Sequence, residues 1–403
     1  MDRATLSPRD RRALVAVGVQ FFVNGAMTAS FVARAPQIRN RIGVTIDEYG
    51  FLLTVSAAIG VVGSLVAGRI VHGATTRWVL KAGAVATVAS LPVIGVAHTP
   101  AVWLVAASTY VFFDTLVDIS MNLQGSWLSA RRHTPIMNRL HGLWSLGTLA
   151  GGLGAVAANA ASLSPFTHLV FVALIMASVL VVVTHHLLPN DAEAHGDEVP
   201  GTTLADARRI AIRIPTVLLA LAGMFAVAME VTGGDWAAFR LADDFTANAA
   251  LASAAFVAYT VGMTIARFGG DFVQLRLGRM ELHRFSVLIA AFGFAVASLV
   301  PDRNVSVGGF FLVGFGVATF MPKLYDDAAR LPGKRGAGLG AMTAGIRVAC
   351  LVTPAAVGAL GGTDLSVGGA IAVYSLPAAL GLVVVTEWNE RLLRLRTPSA
   401  SRC

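Results

Sequence analysis

The chain has 403 residues, of which 55% are hydrophobic and only 13% charged, with a mean hydropathy of +0.69. Soluble domains average about 25% charged residues, so this composition does not suit a water-soluble enzyme. The net charge of +8 comes from basic residues spread between apolar runs, which argues against a nucleic-acid binder, and two cysteines offer neither a disulfide framework nor zinc-ligand spacing.

Residues 1–12 carry four arginines ahead of an apolar run that begins at Ala13. That run is 21 residues long, and Ala33-Arg34-Ala35 is followed by Pro36, so it reads as a retained first span and not as a cleaved leader. Predicted spans of the first half are 12–34, 49–71, 78–98, 101–127, 141–162 and 167–188. Residues 140–190 run without one Asp, Glu, Lys or Arg, enough for two crossings at about 20 residues each. In hydrocarbon each backbone polar group needs an internal partner, so the runs are predicted as helices.

Ionisable groups inside such helices are costly and are functional candidates by default. Asn24 lies in the first span. The fourth span carries Asp114, Asp118 and Asn122 at helical spacing, with Gln124 close by. Residues four apart share a helix stripe, and a stripe with two carboxylates does not face lipid. It is either a structural polar lock between helices or a substrate and proton site.

Residues 189–214 are a polar linker ending in Arg208, Arg209 and Arg213. It divides the chain into a half of residues 1–188 and a half of residues 215–390, followed by a tail of residues 391–403. Spans of the second half are 215–239, 249–273, 283–300, 305–327, 337–360 and 366–388. The first of these holds Glu230, the pair Gly233-Gly234, Asp235 and Trp236. Adjacent glycines weaken a helix, and an interrupted helix beside an acid points to a transport site; Trp236 reads equally as an interfacial anchor. Lys323, Asp326 and Asp327 fall at a helix end and read as exposed interface residues. Arg347 is isolated inside the eleventh span, where it either pairs with a carboxylate such as Asp118 or Glu230 or grips an anionic substrate.

With the first residue in the cytoplasm, the segments on that side hold 24 of the 31 lysines and arginines and the other side holds five, the remaining two being Arg267 and Arg347 inside helices. That bias predicts both termini inside. A weak repeat at an offset of 206 places Asn24 on Glu230 and Arg34 on Arg240. Glycine pairs such as Gly147-x-x-x-Gly151 and Gly358-x-x-x-Gly362 read as close-packing sites between helices.

Arg267-x-x-Gly-Asp271-x-x-x-x-Arg276-x-Gly278-Arg279 resembles the second-half loop motif of the major facilitator superfamily. The first-half copy keeps Gly68 and Arg77 but has His72 where that family usually has Asp. Asp118-Ile-Ser-Met-Asn122-Leu-Gln124, the segment around His141 and Gly147, and residues 230–236 resemble a branch of bacterial inner-membrane permeases related to the fucose-permease-like group. The resemblance implies an all-α membrane protein of twelve transmembrane helices in two six-helix halves, in the inner membrane, transporting a small solute by alternating access. Proton coupling, a sugar, polyol or organic-acid substrate, gating roles for the two loops and a monomer are the matching expectations. No metal, cofactor, P-loop or hydrolase motif is expected. Alternatives are a non-transporting membrane sensor or a drug or metabolite efflux antiporter, and the fifth span lacks the glycine-proline motif of drug/proton antiporters.

Overall fold

A computed structural model describes residues 7–132, 136–188, 214–330 and 337–396. The proposed linker therefore lies outside the described residues, apart from Ile214. Every element among the described residues is helical. Among the described residues ten helices are long and apolar enough to cross a membrane, and Met137–Ala160 and the shorter Arg303–Val317 complete a set of twelve. The crossing helices are α1 (Pro8–Val32), α2 (Ile46–Val71), α3 (Gly73–Val96), α4 (Pro100–Arg132), α5 (Met137–Ala160) and α6 (Pro165–Val183). The second six are α7 (Ile214–Phe239), α8 (Ala249–Leu277), α9 (Arg279–Leu299), α10 (Arg303–Val317), α11 (Ala337–Gly361) and α12 (Val367–Arg396). After a short break α10 continues as Phe320–Arg330.

Local chemistry explains the boundaries. Thr45 and Glu48 form a reciprocal capping box at the start of α2, and Ser164 caps α6 with Pro165 following it. Both devices satisfy backbone N–H groups that a helix leaves unpaired at its start. The α2–α3 turn passes through Thr75 at φ 64°, an uncommon backbone for a β-branched residue. A short helix, Ala35–Ile42, ends at Gly43 with φ 71°. It lies where the sequence had suggested only a loop.

Glycine sets the closest approaches. A Cβ at Gly147 or Gly151 would strike the backbone of α1 at Phe22 or Ala26. Gly50 of α2 and Gly358 of α11 meet backbone to backbone across the two halves. Where lipid gives no hydrophobic drive, such contacts carry helix association. α1 packs with α5 and α2–α3 with α4 in the first half; α7 packs with α11 and α12 in the second. The halves meet along α2 against α11 and α5 against α8.

Candidate functional site

All odd-numbered crossings start from one face, here the terminal face, and the site lies about midway to the opposite one. On α1, Asn24 is 4% exposed. Its Nδ2 donates to Asp114 Oδ1 on α4 at 2.6 Å, and its Oδ1 accepts from Trp144 Nε1 on α5 at 2.9 Å. Trp144 thus passes the link on to a fourth partner: the Arg267 guanidinium of α8 lies 5.7 Å from its ring centroid, within cation–π range. Arg267 also donates to Ser145 Oγ at 2.8 Å and reaches Glu230 Oε1 on α7 at 3.4 Å. One polar chain therefore runs Asp114–Asn24–Trp144–Arg267–Glu230, from the first half to the second.

Tyr110 shares a hydrogen bond with Thr28 at 2.9 Å on the first-half side. On the second-half side Tyr259 donates to the Glu230 carbonyl at 3.0 Å. One turn along α4 toward the terminal face, Asp118 is exposed and accepts from Asn122 Nδ2 at 3.0 Å. Tyr325, on the continuation of α10, stands within electrostatic reach of both Asp118 and Glu230. The α4 stripe thus looks across at the second half.

Arg267, which the motif had placed with the gating loop, sits inside the site. Glu230 takes Arg267 as its partner, and Asp118 takes Asn122, so neither forms the pair with Arg347 that was one of its two readings. Arg347 makes no hydrogen bond or ion pair with any described residue. It lies one helical turn from Leu351, whose carbonyl accepts from Thr54 of α2, so residue 347 lies on the α11 face turned to the first half.

Several other residues fall elsewhere. Gln124 is fully buried, donating to Thr76 Oγ1 and the Leu188 carbonyl and accepting from Leu188 N–H. It ties α4 to the α2–α3 turn and the end of α6, away from the central chain. α7 runs unbroken through Gly233 and Gly234, correcting the expected interruption. A Cβ at Gly233 would meet Tyr259 and Val313 at 2.8 Å, so this glycine serves close packing. The helix changes character only at Arg240–Asp244, a π turn. Trp236 is wholly buried against Phe239 and is no interfacial anchor. Asp235 stands within electrostatic reach of Tyr49 and Tyr259.

The loop motif serves the second half internally. Gly278 ends α8 at φ 81°. Arg279 donates to Asp327 at 2.6 Å and to Glu390 at 3.4 Å, and Asp327 also accepts from Lys323 at 2.5 Å. Lys323 and Asp327 are 3% and 1% exposed, which overturns the exposed-interface reading. Arg276 stacks over Phe272 at 4.3 Å. In the first half, Arg77 donates to the His185 carbonyl at 3.1 Å, and Gly68 has open space around it. The side chains of His72, Asp271 and Asp326 lie outside what is described.

Among the described residues one ion pair joins the two halves, and it lies on the face opposite the termini with several hydrogen bonds beside it. Arg39 of the short helix grips Asp243 of the π turn in a fork, at 2.5 and 2.9 Å. Asn159 of α5 donates to the Ala249 carbonyl and Ser253 Oγ of α8, and Thr54 of α2 binds α11. On the terminal face, ion pairs among the described residues stay within one half, Arg131 with Asp10 and Arg279 with Asp327 and Glu390. The opposite face is sealed, and the site lies on the terminal side of that seal.

Residues 17–354 match the family described as the Major Facilitator Superfamily. An uncharacterized MFS-type transporter of Yersinia pestis is 26% identical over 379 residues, covering 92% of each chain. The crystal structure of the nucleoside transporter NupG superposes with a TM-score of 0.73 at 13% identity, over 96% of this chain and 100% of that one. The E. coli fucose:proton symporter FucP gives 0.61 at 14% identity, over 96% and 98%.

Proposed function

The chain belongs to the Major Facilitator Superfamily, and from that premise we propose that it is a proton-coupled secondary transporter of a small polar solute working by alternating access. The observation that carries this reading is the chain of side chains from Asp114 to Glu230, which crosses between the halves at the depth where such folds hold their substrate. An acid stands at each end, Asp118 lies exposed beside one of them, and a solute entering from the terminal side would meet Trp144, Arg267 and Arg347. Acids in both halves suit proton coupling, since a proton taken up in one arrangement can be released in the other. Arg347, which has no partner among the described residues, favours an organic acid over a sugar or a polyol.

The basic-residue bias places both termini in the cytoplasm of the inner membrane, so the structure corresponds to an inward-facing arrangement. Purified protein in proteoliposomes, offered solutes chosen by a thermal-shift screen, tests the reading. Solute movement that follows an imposed pH gradient is the expected result. Ligand-stabilised protein that moves no solute under any gradient would favour a sensor.

A further inference from the structure

On the sealed face a cavity of about 370 Å³ lies between the end of α1, the short helix Ala35–Ile42, the α5–α6 turn and the start of α8. Arg34, Gln37, Arg41, Asn159, Ser162 and Ala249 line it. Nothing in the proposed transport cycle uses it, and its charge is uncompensated. Arg34 is 1% exposed and donates to Gln37 Oε1 at 2.7 Å and to the carbonyls of Leu163 and Ser164 at 2.6 and 3.3 Å. Arg41 donates to the Gly95 carbonyl at 2.6 Å. A guanidinium has five N–H donors, so both keep spare ones, and neither has a carboxylate partner among the described residues. Burial and the Arg41 charge lower the Arg34 guanidinium to about 10; it remains charged at neutral pH, with its repulsion unrelieved.

Two long helices add to the positive field. The 19-residue α6 begins at Pro165 and the 29-residue α8 at Ala249, and both residues line the cavity. Helix starts carry partial positive charge that suits oxyanions; Ser164 and Asn248 already accept from Thr167 and Leu251 N–H, so the contribution here is the field of the two helices. Asn159 adds a buried Oδ1 without a donor among the described residues, a place for an O–H beside the anionic oxygens.

We propose that this cavity binds a phosphate-type oxyanion, either free in solution or as the headgroup of an anionic lipid. Such a ligand would join Arg34 and Arg41 of the first half to the start of α8 in the second. There Asn159 already donates to the Ala249 carbonyl at 3.1 Å and Ser253 to the Ala33 carbonyl at 2.6 Å. Occupancy therefore favours the arrangement with this face sealed, and ligand that binds one state stabilises it by mass action.

The test is the melting temperature of the purified full-length protein. In detergent, inorganic phosphate is compared with chloride at equal ionic strength; in nanodiscs, phosphatidylglycerol is compared with phosphatidylcholine. A phosphate-specific rise of a few degrees assigns a free oxyanion, and a phosphatidylglycerol-specific rise assigns a headgroup. Arg41→Gln should remove the effect. Ser162→Asp places a carboxylate in the cavity at a residue with φ 57°, a backbone that Asp tolerates. It should raise the melting temperature without ligand and abolish the anion response. No anion-specific rise in either medium, or a rise undiminished in both variants, overturns the proposal.

Discussion

Arg267 is the residue on which both halves converge, because its planar fork reaches Ser145, Trp144 and Glu230 from one position. Its side chain and that of Glu230 are 23% and 27% exposed, so water screens the pair and its worth to folding is at most about 1 kcal/mol. Arg267→Gln should therefore leave yield and melting temperature near normal while abolishing gradient-driven transport. Arg267→Lys should fail to restore it, since a point charge does not reproduce the fork. Wild-type uptake in either variant would remove Arg267 from the site. Arg347 has no partner among the described residues to strand, so Arg347→Gln should fold and melt as wild type and lose affinity for anionic solutes selectively. A collapse in yield would point to a hidden ion pair. The acids and Arg347 were legible in the sequence because charge inside an apolar run is conspicuous, and Asn24 because a carboxamide there is nearly as rare. Trp144 and Ser145 were not, since an aromatic or a hydroxyl in such a run looks like packing. Arg267 carried the needed signal, a cation well inside its helix, but its place at the head of a loop motif masked it.

At the scale of helices, the apolar runs gave most crossings to within about five residues, because hydrocarbon permits little else; the span read as 305–327 instead breaks after Val317, and the last helix runs on to Arg396. What they did not give was how each helix end is fastened. The segment after α10 reads as a polar helix end, yet it folds in so that Lys323 and Asp327 are buried and tied to Arg279 on α9. Removing one member of a buried pair leaves an uncompensated charge at a cost of about 3–5 kcal/mol. Asp327→Asn should lower the melting temperature sharply, because Lys323 loses its acid and Arg279 keeps only the longer contact with Glu390 at 3.4 Å. The pair Lys323→Met with Asp327→Leu should recover much of the loss, since apolar replacement of both partners is often near neutral. Asp327→Asn melting like wild type would show that the network contributes nothing. The glycines of α7 teach the complementary lesson. Gly233 looks like a break in one dimension, but Tyr259 and Val313 press on it from two other helices, and packing of that kind leaves no trace in the local sequence.

Over the whole molecule the repeat at an offset of 206 has a physical counterpart. Arg34 at the end of α1 and Arg240 after α7 are both buried, and each donates to carbonyls at neighbouring helix ends. The duplicated halves then differ in what they present to each other, and the seal on the face opposite the termini is where that difference acts. The loop motif suggested a latch on the terminal face, whereas Arg279 spends its contacts inside its own half. The ion pair that joins the halves near the sealed face is Arg39 with Asp243, seated on a π turn, a local widening of the helix often found at moving parts. Side-chain exposures of 12% and 23% and fork geometry put its worth at about 1 kcal/mol, the upper end for such pairs. That corresponds to roughly a fivefold change in a two-state population. Asp243→Asn should therefore shift the resting population several-fold toward the arrangement open on that face. Cysteines placed between the site and that face should label faster in the variant, and those on the terminal side more slowly. A bifunctional thiol cross-linker of about the length of the Arg39 side chain, joining Arg39→Cys to Asp243→Cys, should stop transport, because a direct disulfide needs a closer backbone approach than a contact made through a full arginine provides. Equal labelling on both sides in Asp243→Asn, together with transport undisturbed by the cross-link, would show that the pair is static and that the seal is held by the contact of Gly50 with Gly358 and the hydrogen bonds of Thr54, Asn159 and Ser253.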